Sequence, residues 1–561
     1  MATLAPGNPN PSARQGRPAS IRSGSSKRWT PEQYIASIGA YAKQRSNTLF
    51  TGVHFTRLAH ILEQPFSSSA KRDYTPSSTF ATLYKYTSGG PPEYCEPKTP
   101  EELAQHAETE ANSILFLRGQ PCPMWLAYAG ASYHVDPEFF YRHLDFVFSM
   151  SRKRYFAQPS LISTSRNLIQ LSYMTVGELP SSMGDISQLK LDSLRDSAGK
   201  DMVEYFNILG KNITKSSSPS ESIVRSYHLL DKHHFAIEQQ VSIYLGQTEK
   251  GWTAVVWLDT GKSLSPKEPG PWAKTLQTNQ ATGQETFLPW IQAHPFASLH
   301  AASLSIAHDR RPTKEMEQSA SLIHLGYGKR LDKQIMAQDP FYALHELFIN
   351  CAYSEAQFLN VIESKIREDT AAELIPDRNV SPANMIFFQG LLDRHAESLR
   401  RSIMAINSRE DAGWPRPTDT ALRQKSTAFT HTLLQDFRSL LNRTEIMSDL
   451  CKSRLHILMS RAGIVESNKA IEQAKEVTKL TRLAFVFVPL SFVSSFFGMN
   501  LGPFVDRPAY GLWIFFAISG PLVLLLLVSL SWNVSQIGHV FARKGKRSKQ
   551  EEHAFETKDS D

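Results

Sequence analysis

The chain has 561 residues, 41% of them hydrophobic and 20% charged, with a formal net charge of +7. That length accommodates several domains, and the modest charge without contiguous basic and aromatic runs argues against nucleic acid as a partner. Cys95, Cys122, Cys351 and Cys451 are widely spaced and form no CxxC pair, which argues against a disulfide scaffold or a structural zinc site.

Residues 1–29 are expected to form a disordered basic tail. Arg14, Arg17, Arg22, Lys27 and Arg28 come without an acidic residue, and Pro6, Pro9, Pro11 and Pro18 oppose the amphipathic helix of a mitochondrial transit peptide. No apolar core of a secretory signal follows Met1. Residues 30–337 alternate strand and helix signals and predict an α+β cytosolic domain. Within it Ile114–Arg118, Asn167–Val176, Phe235–Leu245 and Trp252–Leu258 read as strands, the last two as a hairpin across Gly246–Gly251. Pro137–Phe146 reads as a helix beginning after Asp136, and Lys215–Ser222 and Ser263–Pro271 read as loops.

A helical stalk region is expected over 338–482. Phe341–Arg367, Asn384–Asn407 and Asp419–Ser460 have helical periodicity, with breaks at Pro376 and at Gly413–Pro417. A last helix is expected to start after Gly463 and to run to Gly498 with Pro489 as its one proline, roughly 50 Å long. Only its second half is apolar enough for lipid. Residues 483–532 form a two-helix transmembrane hairpin in this reading, with spans 483–499 and 510–532. Tyr510, Trp513 and Trp532 sit like interfacial anchors. Lys475, Lys479 and Arg482 before the first span, and Arg543, Lys544, Lys546, Arg547 and Lys549 after the second, place both termini in the cytosol or the matrix. Sequons at Asn212, Asn379, Asn442 and Asn533 matter only for a lumenal segment, which that orientation disfavours. Residues 533–561 follow as a basic, then acidic tail. Hydropathy alone fits a hairpin anchor for a soluble domain as well as a transporter.

The first span ends in Phe496-Phe497-Gly498-Met499-Asn500, preceded by Lys479-Leu480-Thr481 and Phe487-Val488-Pro489-Leu490-Ser491-Phe492. This stretch resembles the CorA family of magnesium and related divalent-cation transporters, whose signature is a GMN tripeptide at the outer end of the first of two C-terminal spans. Tyr133-His134-Val135-Asp136-Pro137-Glu138-Phe139-Phe140, Arg142-His143-Leu144 and Asp339-Pro340-Phe341-Tyr342-Ala343-Leu344 are similar to stretches of fungal CorA-like proteins. The resemblance is detailed over roughly the last 80 residues and patchy before them. It implies a homopentameric funnel, integral to the membrane, with one long pore-lining helix per subunit and the second spans outside.

Mg²⁺ gives up its water shell reluctantly, so neutral acceptors that hydrogen-bond those waters suit a selective mouth. Gly498, Met499 and Asn500 are the candidate mouth, with Asn500 the acceptor for the hydrated ion and Met499 packing the turn; a plain helix C-cap is the competing reading. Ser491, Val488, Ala484, Thr481 and Val477 step back at helical spacing as the candidate pore lining, a pattern that also suits close helix packing in lipid. In the external loop Asp506 stands beside Arg507, which weakens any acidic ring there, and the mixed charge of residues 384–445 gives no regulatory ion site. Neither span carries an acidic residue, which favours a channel over a proton-coupled carrier.

The expected function is therefore divalent-cation transport, Mg²⁺ first, without an enzyme activity or a cofactor other than the transported ion. A zinc transporter of the same family and a membrane-anchored binding or scaffold protein are the alternatives. The plasma membrane is the first expected location and the mitochondrial inner membrane the second. Asp259-Thr260-Gly261-Lys262-Ser263 lacks the first glycine of a phosphate-binding loop and reads as a surface turn. His228, His233 and His234 read as solvated rather than metal-bound. His345-Glu346 lacks the second histidine of a zinc-protease helix, and Cys451 has no evident base.

Overall fold

The computed structural model describes residues 29–44, 52–67, 80–86, 92–107, 112–120, 122–148, 166–180, 186–215, 220–248, 251–282, 286–291, 318–372, 382–409, 412–498, 513–525 and 528. The described helices are α1 Pro31–Lys43, α2 Thr56–Ser67, α3 Pro100–His106, α4 Pro123–Ser132, α5 Pro137–His143, α6 Asp145–Phe148, α7 Gln188–Lys215 and α8 Ala273–Thr282. After these come α9 Lys333–Met336, α10 Pro340–Ala343, α11 His345–Ala372, α12 Pro382–Asn407, α13 Thr420–Phe497 and α14 Trp513–Leu525. The strands are β1 Ala81–Tyr86, β2 Glu93–Cys95, β3 Asn112–Arg118, β4 Leu168–Glu178, β5 Ser226–Leu229, β6 His234–Thr248 and β7 Gly251–Leu258. Two compact units divide the chain at Arg454 and Leu455.

The first unit is built on one sheet of strand order β2-β1-β3-β7-β6-β4, with β5 also on β6; β3 and β7 are parallel and the other pairs antiparallel. The middles of β3 and β7 are continuous apolar runs, Ile114–Leu117 and Ala254–Leu258, because both faces of the sheet are covered there. Leu115 and Leu117 of β3 and Val255 and Trp257 of β7 point into a core shared with α1, α2, α4, α5 and α7. Their neighbours Ile114, Phe116, Ala254, Val256 and Leu258 point into a second core with α10, α11, the end of α12 and the first turns of α13. Thus part of the helical region after 338 packs directly on the sheet. Burying each of the leucine, isoleucine, valine and phenylalanine side chains among these stabilises the fold by about 1.5–3 kcal/mol before entropy is counted.

The predicted strands are present, with the hairpin tighter than expected. Thr248 pairs with Gly251, so most of the segment read as a loop is strand. Pro137–Phe146 is two helices, broken at Leu144. The helix expected from Phe341 is likewise two, α10 and α11, separated at Leu344; Asp339 caps the start of the first by accepting from Tyr342 N at 3.1 Å. Lys215 belongs to the end of α7 rather than to a loop.

The largest corrections concern α13 and the turn at Asp259. No helix starts after Gly463, because α13 is continuous from Thr420 to Phe497 and passes through both Gly463 and Pro489. An isolated helical glycine costs only about 1 kcal/mol, too little to break a helix of this length. The Asp259–Ser263 segment is no surface turn. Asp259 is fully buried, and the backbone of Gly261 runs so close to Ser220 O that a Cβ at this position would lie 1.9 Å from it. All four cysteines are free thiols.

Candidate functional site

The sequence-predicted lining residues lie on the second unit's part of α13. Val477, Thr481, Ala484, Val488 and Ser491 are all exposed in the single chain. The less exposed side of the same helix carries Val486, Pro489, Leu490, Val493 and Phe497. At about 100° per residue the two sets are centred roughly 180° apart. On the covered side Phe497 meets Phe515 of α14 edge to face, with ring centroids 6.0 Å apart. The candidate lining is thus the face of α13 that this contact leaves open.

The open stripe is longer than the sequence reading placed it. Counting back in alternating steps of three and four adds Ala474, Ala470, Ser467, Gly463 and Ser460, all exposed. Ten small or β-branched uncharged residues thereby repeat with a seven-residue period from Ser460 to Ser491, the period that winds helices around one another left-handedly. The signal lay in the sequence: Ser467, Ala470 and Ala474 fall within the helix expected after Gly463, but the reading ended at Val477, and only Ser460 and Gly463 lay across the expected helix start. Lys475, Lys479 and Arg482 project about half a turn away from the stripe, and Lys479 pairs with Glu476 at 2.8 Å.

Two threonine hydroxyl groups on this part of the helix are already oriented. Thr481 donates to Val477 O at 2.8 Å and Thr478 to Ala474 O at 2.7 Å. Their protons are therefore used within the helix, and the oxygen lone pairs remain as acceptors. Acceptors facing outward suit the waters of a hydrated cation, which can only donate. Pro489 removes one backbone donor and leaves a carbonyl of the preceding turn without its usual partner.

At the end of α13, Gly498 N still donates to Ser494 O at 3.0 Å. Gly498 is not among the glycines in the left-handed region, so the helix does not close with a left-handed cap there. Met499, Asn500 and Asp506 lie outside the described residues, as do the first and last residues of the predicted second span. Helix α13 is long and apolar enough to cross a membrane by length and composition, and α14 is a shorter apolar helix.

The family-like stretches upstream do structural work instead. Asp136 caps α5 by accepting from Glu138 N at 2.9 Å, and Phe139 and Phe140 are core residues. Asp339, besides capping α10, pairs with Arg409 and accepts from Ser426, all three buried. Around Asp259, the Arg225 guanidinium is bidentate at 2.6 and 2.8 Å, and His143 Nε2 lies 3.1 Å away. Burial pushes the Asp259 carboxyl toward neutrality, but Arg225 outweighs it and holds the group below the usual carboxylate range. Burial takes His143 down to about 4, so its ring is neutral where it stacks on Trp257. His234 pairs with Asp231 at 3.1 Å, while His228 faces a cavity. No group of three or more His, Cys, Asp or Glu side chains suited to a metal ion occurs among the described residues.

Comparison with known proteins bears on this same segment. No curated protein matches the chain. Among solved structures, the complete structure of the CorA magnesium transporter from Methanocaldococcus jannaschii aligns over 80% of this chain and 96% of that one. The identity is 10% and the TM-score 0.29. The family described as CorA-like Mg²⁺ transporter protein matches residues 329–531, which contain the open stripe, its terminal glycine and both apolar helices. It is over this C-terminal part, residues 329–531, that the chain is similar to the CorA-like Mg²⁺ transporter family.

Proposed function

We propose that this protein conducts divalent cations, Mg²⁺ first, across a membrane through a pore lined by α13 in a homopentamer. The observation that carries the reading is the uncharged ten-residue stripe of seven-residue period, exposed in one chain and running from Ser460 to Ser491 inside the family-matched segment. Five copies turned inward would give a narrow channel walled by Val477, Thr481, Ala484, Val488 and Ser491. Thr481 and Ser491 supply oxygen acceptors, and Val488 and Val477 supply rings able to close by dewetting. Residues 483–499 and 510–532 are the two spans, with both termini on one side.

At the mouth, Asn500 offers a neutral amide oxygen, and five such groups would accept hydrogen bonds from the water shell of one ion. A neutral ring does not strip the shell, which for Mg²⁺ is the costly step. The inside-negative potential then drives entry by about 4.6 kcal/mol per 100 mV for a double charge. The basic side chains at 475, 479 and 482 stand off the stripe, so they do not obstruct a cation on the axis.

The test is Mg²⁺ uptake into proteoliposomes by wild type and Asn500→Ala, each first checked for oligomeric state. Uptake by a pentameric wild type, lost at least tenfold in a pentameric mutant, is the expected result. Zn²⁺ competing better than Mg²⁺ would move the protein to the zinc-transporting reading. A monomer without flux of any divalent cation would leave a membrane-anchored binding protein.

A further inference from the structure

Far from the stripe in sequence, the first unit holds a cavity of about 260 Å³ between α7, β5 and α12. That is near the lower end of small-ligand sites. Arg195, Arg225, Arg394 and His228 contribute its polar wall, with no carboxylate among the lining residues; Met202, Tyr227 and Phe387 supply apolar surface.

The three arginines are not equivalent. Arg225 is committed to Asp259, Asp145 and the His143 carbonyl. Arg195 bonds the carbonyls of Leu229 and Leu230, Asp192 and Asn384, and its guanidinium lies 4.0 Å above the Phe387 ring. Arg394 is exposed at the cavity and makes neither a hydrogen bond nor an ion pair among the described residues. The same holds for the half-buried His228 ring, whose centroid is 6.4 Å from that of Phe387. Burial, with Arg394 adding to it, takes His228 down to about 3, so the neutral ring offers one donor and one acceptor nitrogen.

An uncommitted guanidinium, an uncommitted imidazole and a flat aromatic wall in one cavity without acids define a ligand by complementarity. We infer that this cavity binds an organic anion, a phosphate or carboxylate head on a small flat apolar body. The head pairs with Arg394 and the His228 ring, while the body lies against Phe387 and Met202. Gly199 stands at the rim on α7, with nothing within 4 Å of where a Cβ would lie. The helix therefore leaves the entrance open there, and a larger side chain is tolerated by the fold.

Titration calorimetry on the detergent-solubilised full chain tests this with phenyl phosphate, benzoate and inorganic phosphate as probes. The expected result is saturable binding of phenyl phosphate or benzoate at least about tenfold tighter than inorganic phosphate. Arg394→Gln should weaken it by about tenfold or more, as expected for loss of a charge-assisted pair. Gly199→Leu should block it without lowering the melting temperature, and Lys200→Gln, on the exposed side of α7, should leave it unchanged. Binding of phenyl phosphate no tighter than inorganic phosphate, equal binding by Arg394→Gln, or no saturable binding of any probe would each overturn the assignment.

Discussion

The two units use the same residue types to opposite ends. In the sheet-centred unit Phe116, Phe139 and Phe235 are buried, and the enclosed carboxylates of Asp259, Asp339 and Glu355 are paired with Arg225, Arg409 and His395. On the second part of α13, Phe485, Phe487 and Phe492 are 56%, 58% and 71% exposed, and the stripe beside them carries no charge at all. A soluble protein rarely leaves so large a contiguous apolar surface uncovered. The first unit is completed by its own chain, whereas the second leaves these side chains uncovered, as the proposed membrane pore requires. The difference teaches that burial in one chain measures a core only where that chain supplies both sides of it.

The strongest way to break this comparison is to remove a partner inside the first unit. Asp339→Ala leaves Arg409 buried without its carboxylate and also uncaps α10. We expect about 3–5 kcal/mol of lost stability, read as a shift in the urea midpoint of unfolding. Arg367→Ala removes an ion pair whose arginine is mostly exposed, and should cost less than about 1 kcal/mol. Equal losses from the two would mean that the first unit is not held together by enclosure.

Acid sharpens the same contrast. Burial takes His143 and His345 down to about 4, the latter with Arg409 adding to the effect, against an ordinary value of about 6.5. The folded state then binds fewer protons than the unfolded chain, so their contribution is full above pH ~6.5 and is lost as pH falls toward ~4. The loss approaches roughly 3 kcal/mol for each histidine below that. His395 works in the other direction. Burial opposes its protonation, but Glu355 at 2.9 Å and Glu238 nearby raise its value, so its contribution is full below pH ~6.5 and fades as pH rises through its folded value. Urea unfolding at a series of pH values should show a net loss below pH 6.5, and His143→Gln should flatten that slope. A slope unchanged by the mutation would remove His143 as its source.

Much of this division was legible in the sequence, for identifiable reasons. The strands β3, β6 and β7 are runs of β-branched and aromatic residues, and pattern alone finds them. The apolar end of α13 and its small-residue steps are equally local signals. The helices α1, α2, α4 and α7 were missed; α1 did carry a local signal, the Thr30–Gln33 capping box around Pro31, whereas its packing depends on residues far away, as when Tyr34 donates to Val135 O at 2.7 Å. Asp259 was misread because a polar Asp-Thr-Gly-Lys-Ser run resembles a turn, while Arg225 and His143, which bury it, lie 34 and about 116 residues earlier. Arg394 and His228 could not be matched by any local rule, because only the packing of α12 beside β5 brings them to one cavity.

The smallest expected effect separates a water-facing lining from a packed seam on the stripe itself. Val493 is 8% exposed and lies on the covered side of α13, whereas Val488 is 66% exposed on the stripe. Val493→Ala deletes methyl groups from a packed contact and should cost about 1 kcal/mol of thermal stability in detergent. Val488→Ala should cost about 0–0.3 kcal/mol in the assembled protein if the stripe faces water, because the lost methyls touch nothing. It should at the same time raise Mg²⁺ flux, since a smaller ring dewets less readily. If Val488→Ala instead destabilises the assembly as much as Val493→Ala and leaves flux unchanged, the stripe is a seam between helices, and the lining must be sought on another face of α13.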